Sequence, residues 1–195
     1  MTVRVPKADV PAELKEAMAQ RFAALPEPVE VLFNSPDVAT SNLEFSARVA
    51  GWNAADASLK SFAHMAVAAQ IGCGWCLDAG YFQAQNEHLD LAKASQVPRW
   101  RESDVFSPLE REVLAYAEDM SATPPAVTDE QSASLLAQLG PAALVELTLF
   151  IGYVNLATRS NVAHGIASQG YSDACEIPLA ARPGGTGRGE TPAAA

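Results

Sequence analysis

The sequence of 195 residues lacks the features of nucleic-acid-binding and membrane proteins. Lysine and arginine number 13 against 23 aspartates and glutamates, a formal net charge of -10, so no basic stripe is present to neutralise phosphates or anionic lipids. No apolar run approaches transmembrane length, and residues 1–7 lack the apolar core of a signal peptide. We therefore expect no nucleic-acid or membrane partner and a cytoplasmic location.

Cysteine and histidine are scarce, with three of each. Three cysteines in a chain of this length do not make a disulfide scaffold. A zinc site usually needs four ligands, and the sequence has no second CxxC and no HxxxH, so a metal site is the weaker interpretation of the CxxC that is present. No P-loop and no GxGxxG after a strand pattern is found either. We predict neither a metal nor an organic cofactor.

Apolar residues recur at helical spacing along most of the chain, and no convincing strand alternation is present. The Ser-Pro-Leu-Glu sequence at 107–110 is a strong helix opening. The longest apolar stretch covers about 141–167, after a helix that ends at Gly140. The sequence thus predicts an all-α fold, with a single domain over residues 1–176. Residues 177–195 are rich in glycine, proline and alanine and are predicted to form a disordered tail.

The main chemical feature is a pair of cysteines, Cys73 and Cys76, flanked by helix-compatible sequence on both sides. A helix N-terminus offers unpaired N–H groups and a partial positive charge, and both favour thiolate over thiol. Gly72 and Gly74 allow a sharp turn and a close approach of backbone N–H groups to sulfur. Such a pair can close a disulfide, bind a metal, or attack a peroxide or another disulfide. The alternative is two buried cysteines that act as small apolar residues.

The context of this pair resembles the carboxymuconolactone decarboxylase and alkyl hydroperoxidase D superfamily. The resemblance spans roughly residues 59–167. It implies an AhpD-like all-α helical bundle with the CxxC at the start of a helix, assembled as a homo-oligomer (trimer, dimer or hexamer). The segments that carry it are 62–68 (FAHMAVA), 72–76 (GCGWC), 106–112 (FSPLERE), 144–147 (LVEL) and 152–159 (GYVNLATR).

The resemblance also implies roles for the cysteines. In the hydroperoxidase branch the second cysteine attacks the peroxide and the first closes the disulfide, so Cys76 would be the nucleophile and Cys73 the resolving partner. The expected partners are a small hydroperoxide and an external dithiol reductant. The proton relay of the superfamily is missing. Its glutamate, twelve residues before the first cysteine, is replaced by Ser61, and its histidine, four residues after the second, by Gly80.

Two residues near the pair are candidates to replace the relay. His64 lies one helical turn after Ser61, and it can act as a base or charge partner near neutral pH. Its alternative role is that of a core histidine. Asp78 lies two residues beyond Cys76 and could bind a water or orient a donor, although its charge would oppose thiolate formation. Its alternative role is that of a first-turn helix residue.

Three functional hypotheses follow from the sequence. The first is a thiol-dependent hydroperoxide reductase or disulfide oxidoreductase. The second is a carboxymuconolactone-decarboxylase-like enzyme that uses no redox thiols, against which the presence of both cysteines counts. The third is a non-catalytic, redox-sensing oligomer, and the missing relay residues are its best support.

Overall fold

The computed structural model describes residues 3–22 and 24–183. Within these ranges the chain forms α-helices and two short 3-10 helices, Val97–Glu102 and Tyr171–Ala174, and no strands. The all-α prediction is therefore confirmed. The α-helices are α1 (Ala12–Phe22), α2 (Glu27–Leu32), α3 (Pro36–Ala50), α4 (Ala57–Ile71), α5 (Gly74–Asn86), α6 (Leu91–Ala94), α7 (Pro108–Ser121) and α8 (Asp129–His164).

The helix boundaries follow the capping residues in the sequence. At the start of α7 the Ser107 hydroxyl accepts the N–H of Glu110 at 3.3 Å, while the Glu110 carboxylate accepts the N–H of Ser107 at 2.6 Å. Helix α4 ends at Gly72, whose φ of 83° is the left-handed conformation that glycine adopts at a helix C-terminus. Helix α5 starts two residues later, at Gly74, so the CxxC lies at a helix start as predicted.

Helix α8 contains the two helices that the sequence predicts, because Gly140 interrupts it with φ 76° and ψ 167°. The second part ends at His164, where Gly165 takes a left-handed conformation, three residues before the predicted end. The helix is long and apolar enough to cross a membrane by length and composition alone, so the expectation that no run approaches that length is wrong on this criterion. A mostly buried core helix passes the same test, whereas this helix has 22% of its apolar window buried, with Leu147 and Ile151 in the core.

Helix α4 lies at the centre of the fold and packs against α5, α7 and α8. Eight of its fifteen residues are buried, and Phe62 and Met65 are among the largest fully buried side chains. They share one core with Leu114 of α7 and Leu147 of α8. Because α5 follows α4 after a two-residue turn, this core also fixes the position of the cysteines.

The first residues of the predicted tail pack on the helical body. Tyr81 donates its hydroxyl proton to the carbonyl of Ile177 at 2.5 Å, and the N–H of Ala180 donates to the carbonyl of Ser95 at 2.9 Å. The Arg182 guanidinium donates to the carbonyl of Ala69 at 2.7 Å. The packed part of the chain thus continues to residue 183 rather than ending at 176. The rest of the predicted tail, 184–195, lies outside the described residues.

Candidate active site

The two cysteines of the CxxC form a buried disulfide at the N-terminus of α5. Cys73 and Cys76 are 1% and 2% exposed, and their Cα atoms are 5.4 Å apart, within the usual range for disulfides. Cys73 is the N-cap residue of α5, and its sulfur accepts the N–H of Cys76 at 3.3 Å. The pair therefore lies where helix N–H groups favour a negative charge on sulfur.

The sulfurs differ in what they face. Cys76 lines a cavity of about 290 Å³, which we call the thiol cavity, whereas Cys73 is not among its lining residues. Asn161 of α8 is buried beside this cavity, and its side-chain amide donates to the Cys76 sulfur at 3.3 Å. No signal in the sequence separates Asn161 from its polar neighbours Arg159 and Ser160, because only the packing of α8 on α5 brings it to the sulfur.

His64 occupies the place that the missing relay histidine would take. A Cβ atom at Gly80 would lie 3.4 Å from both Cε1 and Nδ1 of the His64 ring. Gly80 is one helical turn after Cys76 on the same face of α5, so an imidazole from α4 fills the space at that turn. His64 and Cys76 both line the thiol cavity, and Ser61 is not among its lining residues. Burial lowers the pKa of His64 from 6.5 to about 4, so its ring is neutral near pH 7 and is a weaker base than an exposed imidazole.

Asp78 holds a different part of the chain. Its carboxylate accepts hydrogen bonds from the Ser168 hydroxyl at 2.7 Å and from the N–H groups of Gln169, Tyr171 and Ser172 at 3.2, 3.0 and 2.7 Å. Burial raises the pKa of Asp78, but these hydrogen bonds outweigh burial and hold it below its usual value. Asp78 is not among the residues that line the thiol cavity, so its predicted role in the chemistry stays a prediction.

The thiol cavity is mostly apolar. Its walls come from α1, α2, α3, α4, α5 and α8, and the rings of four phenylalanine, tyrosine or tryptophan residues contribute to them. Its polar lining residues include His64, Asn161 and His164, and of these Asn161 is hydrogen-bonded to the Cys76 sulfur. The aromatic wall residues are Phe22, Trp75, Phe150 and Tyr153. A concave apolar cavity with a few polar groups around a reactive sulfur is the usual form of a small-molecule site.

Comparison with known proteins agrees with this site. The sequence profile of the carboxymuconolactone decarboxylase family matches residues 36–119, which contain the CxxC. The uncharacterized protein YnjA of Escherichia coli strain K12 is 37% identical over 123 residues, which cover 63% of this chain and 66% of YnjA, slightly less than two thirds of its length. The predicted resemblance to the carboxymuconolactone decarboxylase family is therefore confirmed over residues 36–119.

Solved structures share the fold of this chain. A cysteine-to-alanine variant of the debrominase Bmp8 in complex with 2,3,4-tribromopyrrole superposes with a TM-score of 0.78 at 20% identity, covering 89% of this chain and 96% of that chain. A protein of unknown function from Agrobacterium tumefaciens, described as a candidate AhpD antioxidant defence protein, gives a TM-score of 0.63 at 20% identity over 69% of this chain and 92% of that chain. Both identities are low, so the likeness establishes the fold alone.

Replacing Asp78 with asparagine is expected to lower the free energy of unfolding of the protein by about 3 kcal/mol, because the amide loses the charge and turns N–H groups toward N–H donors. Urea denaturation at pH 7 measures the effect. Asp173→Asn is the matched control, because Asp173 lies in the same segment and is exposed. Equal stability of the two variants would contradict the structural role of Asp78.

The pH dependence of stability is expected to report on His64. Its folded pKa of about 4 lies below the unfolded value of 6.5, so the unfolded chain binds the proton more readily. The contribution of neutral His64 to the free energy of unfolding is therefore fully present above pH 6.5, and it is lost as the pH falls toward 4. Over that range the wild type should lose about 3 kcal/mol more unfolding free energy than His64→Gln in urea titrations. Parallel pH curves for the two proteins would show that the imidazole is not desolvated.

Proposed function

We propose that the protein is a thiol-dependent hydroperoxide reductase in which Cys76 attacks the substrate and Cys73 closes the disulfide. The superfamily fold and a cysteine pair at disulfide distance fit a redox role. The assignment of Cys76 as the nucleophile rests on one observation, that Cys76 and not Cys73 lines the thiol cavity. A substrate in the cavity therefore meets the Cys76 sulfur first. A recycled CxxC needs a supply of reducing thiols, which supports a cytoplasmic location.

The proposed reaction has three balanced steps. The Cys76 thiolate attacks the terminal oxygen of R–O–O–H, the O–O bond breaks, and the alkoxide takes a proton to leave as an alcohol. Cys76 is then a sulfenic acid. The Cys73 thiol attacks the sulfenic sulfur, releases water and forms the disulfide. An external dithiol reduces this disulfide by thiol–disulfide exchange and is itself oxidised to a disulfide.

Two side chains assist the first step in this proposal. A thiolate at Cys76 raises the proton affinity of the His64 ring, which takes the thiol proton as an ion pair with the sulfur and returns it to the alkoxide, the role that the superfamily gives to a histidine at position 80. The Asn161 amide stabilises the thiolate through its hydrogen bond to sulfur. Both groups lie on the cavity side of Cys76.

The experiment that tests the proposal is a count of free thiols by mass spectrometry before and after one equivalent of an organic hydroperoxide. The reduced wild type should lose two thiols rapidly, and the thiols of Cys76→Ser should stay intact. A wild type that keeps its thiols while the hydroperoxide persists would refute peroxidase function.

The aromatic wall of the cavity favours a second candidate, the reductive removal of a halogen from a small aromatic ring. The debrominase that shares the fold is solved with a brominated pyrrole. In this reaction the Cys76 thiolate attacks bromine, the electrons of the C–Br bond stay on carbon, and the carbon takes a proton. Cys73 then displaces bromide from Cys76 and forms the disulfide. Release of one bromide per two thiols lost, from 2,3,4-tribromopyrrole, would support this candidate.

We propose in addition that the chain forms a homo-oligomer through one face of α8. Val145, Leu149 and Leu156 are 61%, 58% and 50% exposed and share this face. Light scattering at micromolar concentration should give a multiple of 20.6 kDa for the wild type and a smaller species for Leu149→Asp. Leu136→Asp is the control, because Leu136 is similarly exposed before the break at Gly140. A monomeric wild type would contradict the proposal.

A further inference from the structure

We propose that the thiol cavity binds a small apolar organic acid, so that the substrate is the hydroperoxide of an amphipathic carboxylate. The inference rests on the proposed function and adds the substrate class. It is argued from the charge of the cavity lining, from one arginine at the cavity, and from the cavity volume.

The cavity lining differs in charge from the rest of the chain. Aspartate and glutamate outnumber lysine and arginine by 23 to 13 in the sequence, yet among the described residues that line the cavity there is no carboxylate. The lining instead carries Arg21, in the last turn of α1. The lining therefore places no carboxylate against an anion and offers one guanidinium.

Arg21 is available for a ligand. Within the described part of the chain it makes no ion pair and no hydrogen bond, and its guanidinium lies over the Phe22 ring, 5.4 Å from the centroid. By contrast, Arg159 and Arg182 each donate to backbone carbonyls. A guanidinium held by an aromatic ring beside an apolar cavity is well suited to bind a carboxylate.

The end of α8 does not oppose an anion in the cavity. His164 lines the cavity at the C-terminus of this helix, where unpaired carbonyls would present a partial negative charge. The Arg4 guanidinium donates to two of these carbonyls, those of Val162 and Ala163, at 3.1 and 2.7 Å. The Arg4 guanidinium thus satisfies two carbonyls at the negative end of the helix dipole and reduces the partial negative charge there.

The volume of the cavity limits the size of the acid. At about 290 Å³ it lies at the lower end of the range for small-molecule sites. With about 30 Å³ for each water-sized group, it holds roughly ten non-hydrogen atoms. Octanoate has this size, and its chain would lie along Phe22, Phe150 and Val154 with the carboxylate toward Arg21.

Isothermal titration calorimetry on reduced Cys76→Ser tests the proposal without turnover, using octanoate, octan-1-ol and octylammonium at pH 7.5. Octanoate should bind at least about 5-fold more tightly than octan-1-ol, and octylammonium should show no binding. Adding Arg21→Gln should remove the preference for octanoate. Arg48→Gln is the matched control, because Arg48 is exposed on α3 and does not line the cavity.

A further variant, Leu43→Trp, fills the cavity and should abolish octanoate binding while the circular dichroism spectrum stays unchanged. Equal affinity for the acid and the alcohol, or binding that survives Leu43→Trp, overturns the proposal. These measurements do not depend on the peroxidase chemistry. Thiol loss with a hydroperoxide in the absence of octanoate binding leaves the proposed function standing, and octanoate binding without thiol loss refutes the proposed function alone.

Discussion

Cys76→Ser is expected to lower the steady-state rate of hydroperoxide reduction, measured with an external dithiol, by at least about 1,000-fold. The reason is that Cys76 is the sulfur that lines the thiol cavity, and a hydroxyl near neutral pH is a far weaker nucleophile than a thiolate. Rapid-quench measurement of alcohol formation separates this first step from the later disulfide exchange. No alcohol should form in the first turnover.

Cys73→Ser is the matched control, because it removes the other sulfur of the same disulfide. This variant should form one alcohol per chain and then stop as a Cys76 sulfenic acid, which a dimedone adduct on Cys76 identifies by mass spectrometry. A burst with Cys76→Ser and none with Cys73→Ser would reverse the two roles. Enzyme activity that persists when both cysteines are serine would favour the decarboxylase-like hypothesis instead.

His64→Ala is expected to lower the rate of the first step by about 100-fold, the usual contribution of a positioned general base. Because Gly80 lies beside the His64 ring, a histidine at position 80 can test whether the imidazole itself is needed. Adding Gly80→His to His64→Ala places an imidazole in nearly the same volume, now from α5. The double variant should react at least about 10-fold faster than His64→Ala. Stopped-flow consumption of an organic hydroperoxide measures both effects.

His64→Ala with Gly80→Phe is the control for this rescue, since phenylalanine fills the same space without a titratable group. It should stay as slow as His64→Ala. Gly80→His alone should be poorly tolerated, because its Cβ would lie 3.4 Å from the His64 ring and from Cγ of Met65. Equal rates for the phenylalanine and histidine variants would show that the imidazole serves packing and not proton transfer.

Much of the fold was predictable because its determinants are local. The capping box at Ser107 and Glu110, the break at Gly140 and the glycines beside Cys73 act within a few residues, and the structure places helix ends at these residues. The two cysteines are likewise close together because they lie three residues apart, within one helical turn.

The composition of the site was less predictable, because it depends on contacts between distant segments. The sequence shows that position 80 lacks a side chain, but only the packing of α4 on α5 shows that His64 fills that space. The hydrogen bond of Asn161 to Cys76 joins residues 85 positions apart. Asp78 lies only two residues after Cys76 in the sequence, yet its carboxylate accepts hydrogen bonds from residues 168–172. That segment has no periodic pattern that would predict this contact.

The side chain of Gln169 connects the CxxC segment to the residues between α1 and α2. Its amide oxygen accepts the indole N–H of Trp75 and the N–H of Glu27, each at 2.7 Å, and its amide nitrogen donates to the carbonyl of Leu25 at 3.3 Å. Trp75 stands between the two cysteines, and Leu25 and Glu27 connect α1 to α2. The backbone of the CxxC and the connection between α1 and α2, which both border the thiol cavity, are thus joined through one amide side chain, so a shift of either is expected to displace the other.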